Sequence, residues 1–146
     1  MQTHSQVLNR IVRANCTFCK IIAGSLPSHR IYEDSYSITI LSIDPLSDGH
    51  ALVIPKNHTP KFWQMEDKDE YINLMLTARK VAKALNKTFH PEHTLELAEG
   101  LDINHVHIHI IPAQKSYSEL AYEHKSTVPN HAKLARFTKD ILKNIF

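Results

Sequence analysis

The stretch His105-Val106-His107-Ile108-His109-Ile110-Ile111 decides how this chain folds. Its apolar residues alternate strictly with three histidines, which is the pattern of a half-buried β-strand. Residues two apart in a strand share a face, so the aliphatic side chains face the core and the imidazoles line the other face over roughly 13 Å. A row of three imidazoles is harder to explain by packing than one buried histidine. We therefore predict a strand over 105–111 that carries functional histidines.

The rest of the chain predicts an α+β fold, an antiparallel sheet of about five strands with a long helix packed on one side and a C-terminal helix. The other predicted strands are short, rich in β-branched residues and bounded by turn residues, at 30–33, 38–42, 51–55 and 94–98. After Asp67, the expected N-cap, the apolar spacing becomes helical and marks the long helix. Helical spacing also recurs near the N-terminus, from Val7 to Val12, and after Pro129-Asn130.

Length and composition indicate one domain and exclude several classes of protein. The chain has 146 residues, of which 42% are hydrophobic and 22% charged, as in ordinary globular domains. A net charge of +2 without a basic run argues against DNA as a partner. No apolar stretch is long enough to span a membrane, and Met1 to Ala14 does not resemble a signal peptide. We expect a cytoplasmic protein that neither binds DNA nor enters a membrane.

Histidine and glycine counts restrict how phosphate could be bound. The chain holds 11 histidines and 3 glycines, and it contains neither a G-x-G-x-x-G fingerprint nor a Walker loop. Imidazoles or isolated backbone amides would have to bind any phosphate group.

Two chemistries fit the histidine row, and its spacing does not choose between them. The histidines could hold a catalytic zinc ion with an open position for water. Alternatively, a neutral imidazole could attack phosphorus and form a covalent intermediate while a neighbouring imidazole transfers protons. Far from this row in the sequence, Cys16-Thr17-Phe18-Cys19 holds two cysteines close together. In a reducing compartment such a pair favours metal or redox chemistry over a disulfide.

Three segments together resemble the histidine triad (HIT) superfamily. They are CTFCKIIAGSLPS from Cys16, GHALVIPKNH from Gly49 and the His-x-His-x-His row, and they occur in the family's order. The resemblance runs over 16–112, which we take as a HIT domain between an N-terminal helical extension, 1–15, and a C-terminal extension with a terminal helix, 113–146.

The resemblance implies that the protein is a hydrolase acting at the α-phosphorus of a nucleotide derivative, either a nucleoside phosphoramidate or a dinucleoside polyphosphate. His107 would be the nucleophile that forms a nucleotidyl-histidine, His109 would contact the phosphate and assist proton transfer, and His50 would support the triad. Histidine at 109, where related transferases have glutamine, favours hydrolysis over transfer. The alternatives are a nucleotide-binding or sensing module with little turnover, and the zinc-dependent hydrolase with three histidine ligands.

The Cys-x-x-Cys opening is similar to that of zinc-containing members of the family. In those members both cysteines, the histidine that ends the PKxH segment and the first triad histidine bind the metal. The matching residues are Cys16, Cys19, His58 and His105. Four protein ligands make such a site structural rather than catalytic.

Several positions depart from the family pattern. Ser42 stands where the family commonly has an aspartate that binds both ribose hydroxyls. A serine can make one of those hydrogen bonds, so Asp44, which follows Ile43, would have to make the other. Leu101 and Asp102 replace a glutamine and a serine or threonine near the phosphate. Asp102 would have to turn away, meet a cationic part of the substrate or orient a triad histidine. The nucleotide would contact Ser42, Ile43, Asp44 and Asp102.

Other features are assigned by resemblance or position alone. The resemblance implies an apolar base pocket, for which we take Ile22, Leu26, Ile31 and Ile40, and a homodimer joined through the long helix and the adjacent sheet edge. Phe62 and Trp63 could stack on a base or serve a core or dimer contact. The remaining histidines are expected at the solvated surface, and they are His4, His29, His90, His93, His124 and His131.

Overall fold

The computed structural model describes all residues from Met1 to Phe146. Its helices are α1 (His4–Asn15), α2 (Thr17–Ile22), α3 (Lys68–Phe89), α4 (Tyr117–Glu123) and α5 (His131–Leu142), with a short 3₁₀ helix at Phe62–Gln64. Its strands are β1 (Arg30–Glu33), β2 (Ser37–Leu41), β3 (Ala51–Pro55), β4 (His93–Ala98) and β5 (Ile108–Ala113). None of the helices combines the length and apolar character needed to cross a membrane.

The five strands form one antiparallel sheet in the order β1-β2-β3-β5-β4. The α+β fold predicted from the sequence is therefore confirmed. β5 lies between β3 and β4, with Leu52 opposite His109 on one side and Leu97 opposite His109 on the other. The histidine strand is thus central, whereas β1 and β4 form the edges.

Both faces of the sheet are buried, which explains why β2 and β3 are buried along their whole length. The main core joins one face to α3 and α5 through residues such as Val53, Leu85 and Ile141. A second, smaller core joins the opposite face to α2, where Phe18 and Ile21 pack over β2 and β3. The candidate site lies on this second face.

The long helix begins where the sequence predicts. The Asp67 side chain accepts hydrogen bonds from the backbone N–H groups of Asp69 and Glu70, which satisfies donors that the first turn leaves free. The C-terminal helix α5 likewise begins after Asn130 and buries Leu134 and Ile141 in the main core.

Two features differ from the sequence prediction, namely the start of the histidine strand and the presence of two short helices. The histidine strand begins at Ile108, because Val106 donates its backbone N–H to Thr59 in a loop rather than to a strand partner. Helices α2 and α4 were not predicted, since six and seven residues are too few to establish a helical period. Helix α1 is confirmed, but none of its residues is buried.

Candidate functional site

The histidine row keeps its alternation but divides between two groups of side chains. Val106 and Ile108 are buried in the main core, so the three imidazoles still face the opposite side. His105 contacts the two cysteines, whereas the rings of His107 and His109 lie together with centroids 4.8 Å apart. Both ring nitrogens of His105 are engaged away from the other two rings. This geometry contradicts the alternative in which all three histidines hold one zinc ion.

Cys16, Cys19, His58 and His105 form a compact cluster whose donor atoms all lie within 4.8 Å of one another. The His105 Nδ1 atom is 3.5 Å from the Cys16 Sγ and 3.6 Å from the Cys19 Sγ, and the His58 Nδ1 is 3.3 Å from the Cys19 Sγ. Around a tetrahedral zinc ion with bonds of about 2.0 to 2.3 Å, neighbouring donor atoms lie roughly 3.3 to 3.8 Å apart. The four residues therefore fit such an ion.

The surroundings of this cluster also suit a cation. His105 donates its Nε2–H to the Pro55 carbonyl oxygen at 2.8 Å, which leaves a lone pair on Nδ1 towards the sulfurs. Burial and the adjacent Cys16 raise the pKa of Cys19 to about 12. A bound dication would reverse that effect, because it favours the thiolate.

His107 has one ring nitrogen fixed and one free. Its Nδ1–H donates to the His105 carbonyl oxygen at 2.7 Å, so the neutral ring carries its lone pair on Nε2. Burial lowers its pKa, which favours that neutral form. Phe18 packs edge-on against the ring with centroids 4.9 Å apart and restricts its movement. The arrangement presents a nucleophilic nitrogen.

His109 has the opposite arrangement of protons, which follows from a chain of hydrogen bonds. The Leu46 backbone N–H donates to the His50 Nδ1 at 3.0 Å, so the proton of the neutral His50 ring is on Nε2. That Nε2–H donates to the His109 Nδ1 at 2.9 Å. The proton of a neutral His109 ring is therefore on Nε2, which is buried and has no partner. This N–H makes no hydrogen bond of ordinary geometry within the protein.

Burial keeps both members of this chain neutral. It lowers the pKa of His50 to about 3, and the neighbouring His109 and His124 add to the lowering. It also lowers the pKa of His109 to about 4, with a further contribution from His107. Gly49 positions His50, since its φ of +88° favours glycine and an added Cβ would lie 2.5 Å from the Phe89 ring.

The residues expected to bind the sugar follow β2, beside His50. Ser42 is buried and donates its backbone N–H to the His50 carbonyl, and its Oγ accepts the Asp44 N–H at 3.2 Å. Because β2 ends at Leu41, strand alternation does not place Ser42 and Asp44 on one face, as the sequence had suggested. Ile43 is exposed.

Asp44 is held by the C-terminal extension, which the sequence did not reveal. The His124 Nε2 lies 3.0 Å from one carboxylate oxygen, and the Ser126 hydroxyl donates to the other at 2.9 Å. The expectation that His124 is a solvated surface residue is therefore wrong. His29 and His131 also contact each other through ring nitrogens 3.0 Å apart, whereas His4, His90 and His93 are exposed as predicted.

The segment after β4 brings an unpredicted carboxylate to the site. An oxygen of Glu99 lies within 4.8 Å of ring nitrogens of His107 and His109. Asp102 is exposed and makes no hydrogen bond to a triad histidine, so it does not orient one in that way. Leu101 is also exposed. The sequence offered one signal for Glu99, its place immediately before Gly100 at the end of a predicted strand.

The predicted base pocket is wrong. Ile31 is buried in the main core, on the opposite face of the sheet from Ile40. Ile22 and Leu26 line a separate surface cavity beside α1. By contrast, Phe62 and Trp63 are exposed and line a cavity that includes His107, so neither serves as a core residue.

Comparison with known proteins agrees with this geometry. The family model for the HIT domain matches residues 23–116. Adenosine 5′-monophosphoramidase HNT1 of Saccharomyces cerevisiae is 33% identical over 90% of this chain and 84% of its own length. The fold resembles that of a HIT-like protein from Bartonella henselae, with a TM-score of 0.78, 27% identity and coverage of 89% of this chain and 96% of that one.

A second solved structure is that of a zinc-bound histidine triad family protein from Mycobacterium smegmatis. It has a TM-score of 0.73 and 23% identity, and the match covers 91% of this chain and 94% of that one. At this identity the likeness concerns the fold. Because the family model matches more than half of the sequence and the yeast relative covers most of it, the chain belongs to the histidine triad (HIT) family.

Proposed function

We propose that this protein hydrolyses a nucleotide derivative at its α-phosphorus through a nucleotidyl-histidine intermediate on His107. A nucleotide hydrolase is the kind of enzyme that the relatives support, since the yeast relative is an adenosine 5′-monophosphoramidase. One observation carries the finer proposal, namely the opposite protonation of two adjacent rings. His107 offers a lone pair on Nε2, whereas His109 offers a proton on Nε2.

The two steps follow from those protonation states. The His107 Nε2 lone pair forms a bond to phosphorus while the bond from phosphorus to the leaving atom breaks. That atom keeps the electron pair and takes the proton from the His109 Nε2, and the negative charge left on His109 balances the positive charge on the phosphorylated His107 ring. Water then forms a bond to phosphorus and gives a proton to His109, and the phosphorus–nitrogen bond breaks with its electrons returning to His107. His50 acts as a positioning residue that keeps the His109 proton on the correct nitrogen.

Replacing His107 tests this function. His107→Ala should reduce the turnover of adenosine 5′-phosphoramidate by at least about a thousandfold, because the nucleophile is removed. His4→Ala, at an exposed position on α1, is the matched control and should retain full turnover. Unchanged turnover in His107→Ala would contradict the mechanism. Tight nucleotide binding by the unmodified protein without turnover would favour the sensing module instead.

We also propose that Cys16, Cys19, His58 and His105 hold a structural zinc ion. The donor distances and the Pro55 contact to His105 support it. The zinc-bound protein from Mycobacterium smegmatis provides a related example. Zinc bound there would link the N-terminal segment to the segment that carries His107 through coordination bonds, and it would take no part in the reaction.

We propose that Ser42, Ile43 and Asp44 contact the nucleoside. They adjoin His50, whose carbonyl accepts the Ser42 N–H. The Asp44 carboxylate is half exposed even with His124 and Ser126 bound to it, so its free lone pairs can accept hydrogen bonds from sugar hydroxyls. Asp102 also belongs to the proposed site, because its charge raises the pKa of both His107 and His109 against the larger lowering by burial.

We propose that two copies of the chain form a dimer through α3 and the open edge at β4. Ile72, Met75 and Leu76 are large apolar residues of α3 that remain exposed. Together with β4 they line a surface cavity of about 540 Å³. Pairing this face with its symmetry copy would bury it in the way that soluble dimers bury such surfaces.

A further inference from the structure

Glu99 is fixed in place beside the reacting histidines. It follows β4 directly, and one of its carboxylate oxygens accepts the Leu101 backbone N–H at 2.8 Å. That contact keeps the carboxylate near the ring nitrogens of His107 and His109, all within 4.8 Å. A fixed negative charge at this distance must affect any charged group that approaches the phosphorus.

A cavity opens at the same place. It has a volume of about 160 Å³ and includes both His107 and Glu99 in its lining. Phe62, Trp63 and Leu101 form an apolar and aromatic wall that is exposed to solvent. Aromatic faces of this kind attract organic cations as well as apolar groups. Because the cavity reaches the nucleophile, it can hold a substituent of the phosphorus atom.

The lining of this cavity holds one carboxylate, Glu99, and one cation, and the exposed carboxylate of Asp102 follows two residues after Gly100. Lys61 is the cation in its lining, and its ammonium group donates to the Gly100 carbonyl oxygen at 3.3 Å. The carboxylates of Glu99 and Asp102 both oppose the lowering of the His109 pKa by burial and by His107, so their fields reach the reacting rings. The region therefore favours a positive substituent and disfavours a negative one.

We propose that Glu99 determines leaving-group specificity by selecting phosphoramidates of cationic amines over substrates with anionic leaving groups. The proposal rests on the function proposed above and concerns the group that leaves. The leaving nitrogen takes its proton from the His109 Nε2, and Glu99 gains and loses no proton. Its charge instead attracts a second, remote ammonium group on the departing amine. A dinucleoside polyphosphate places phosphate charges in the same region and is repelled.

Three substrates with a common adenosine 5′-phosphoryl group test this role. The first carries 1,2-diaminoethane on phosphorus, the second carries propylamine, which has similar size and no remote charge, and the third is a diadenosine polyphosphate. The unmodified protein should prefer the diamine over propylamine by about tenfold in kcat/KM. This figure allows for the weakening of the attraction between Glu99 and the remote ammonium group by solvent. In Glu99→Gln the ratio should fall by about tenfold, and kcat/KM for the polyphosphate should rise by about tenfold.

Glu99→Gln suits the test because its amide oxygen can still accept the Leu101 N–H. Glu92→Gln removes the same charge at an exposed position before β4 and should behave like the unmodified protein. Two results in an active enzyme would overturn the proposal. The unmodified protein would show no preference for the diamine, or Glu99→Gln would keep the same preference. Failure of the proposed function would look different, since no protein would then hydrolyse any of the three substrates.

Discussion

The chain from Leu46 through His50 to His109 should make the protein unusually sensitive to acid. Burial lowers the pKa of His50 from 6.5 to about 3 in the folded protein. In the unfolded chain the ring regains its ordinary pKa. Below pH 6.5 the unfolded state therefore binds more protons than the folded state, and the free energy of unfolding falls as the pH falls towards 3.

The expected size of this effect follows from the same values. Each pH unit below the unfolded pKa should cost about 1.4 kcal/mol of stability through His50 alone. His50→Gln removes the titration and keeps a donor for the His109 Nδ1, but it leaves the Leu46 N–H without its acceptor. That loss should cost about 1 to 3 kcal/mol near neutral pH. The variant should thus be less stable at neutral pH, and the two stability curves should converge near about pH 5.

Urea unfolding between about pH 7 and pH 5, at constant ionic strength, measures both slopes. Protonation of the metal-binding cluster contributes to acid sensitivity in every variant and cancels in the difference. His4→Gln, in the exposed helix α1, should give a curve parallel to that of the unmodified protein. If the His50→Gln curve is also parallel, burial does not hold His50 neutral, and the proton arrangement derived for His109 loses its basis.

Three further perturbations test the other proposals. Cys16→Ser should lower the bound zinc from about one ion per chain to near zero and reduce the Tm, and a variant that keeps its zinc would refute the structural site. His124→Ala removes a contact that holds the Asp44 carboxylate in place, so KM should rise by about tenfold with little change in kcat. A fall in kcat alone would argue against a role of Asp44 in nucleoside binding. Leu76→Glu should yield monomers in light scattering whereas Leu8→Glu on α1 should not, and a Leu76→Glu dimer would place the interface elsewhere.

Alternation and capping were sufficient to predict most of the fold. The apolar residues between the histidines select one face of β5, and Asp67 places the start of α3 through a local side-chain contact. Both signals depend on neighbours in sequence. Short helices contain too few residues for a repeating apolar pattern, yet the residues at their ends can still indicate them. Ser116 and Glu119 form a capping box before α4, and Gly24, with a φ of +79°, follows α2.

The site was less accessible from sequence because its key contacts join distant segments. The hydrogen bond from His50 to His109 spans 59 residues, and that from Ser126 to Asp44 spans 82. Family resemblance supplied the four residues of the metal-binding cluster, which the geometry brings together. The resemblance could not supply Glu99, because this residue lies outside the three motif segments. The division into 1–15, 16–112 and 113–146 stays a prediction, although α5 packs in the main core.

The central claim is that His107 displaces the leaving group and is then displaced by water. The most direct measurement is the stereochemical course at phosphorus, followed with a phosphorus-chiral adenosine 5′-phosphorothioamidate hydrolysed in isotopically labelled water. Two successive in-line displacements each invert the phosphorus centre, so the account predicts net retention. Net inversion would mean that water attacks directly, and it would contradict a nucleotidyl intermediate on His107.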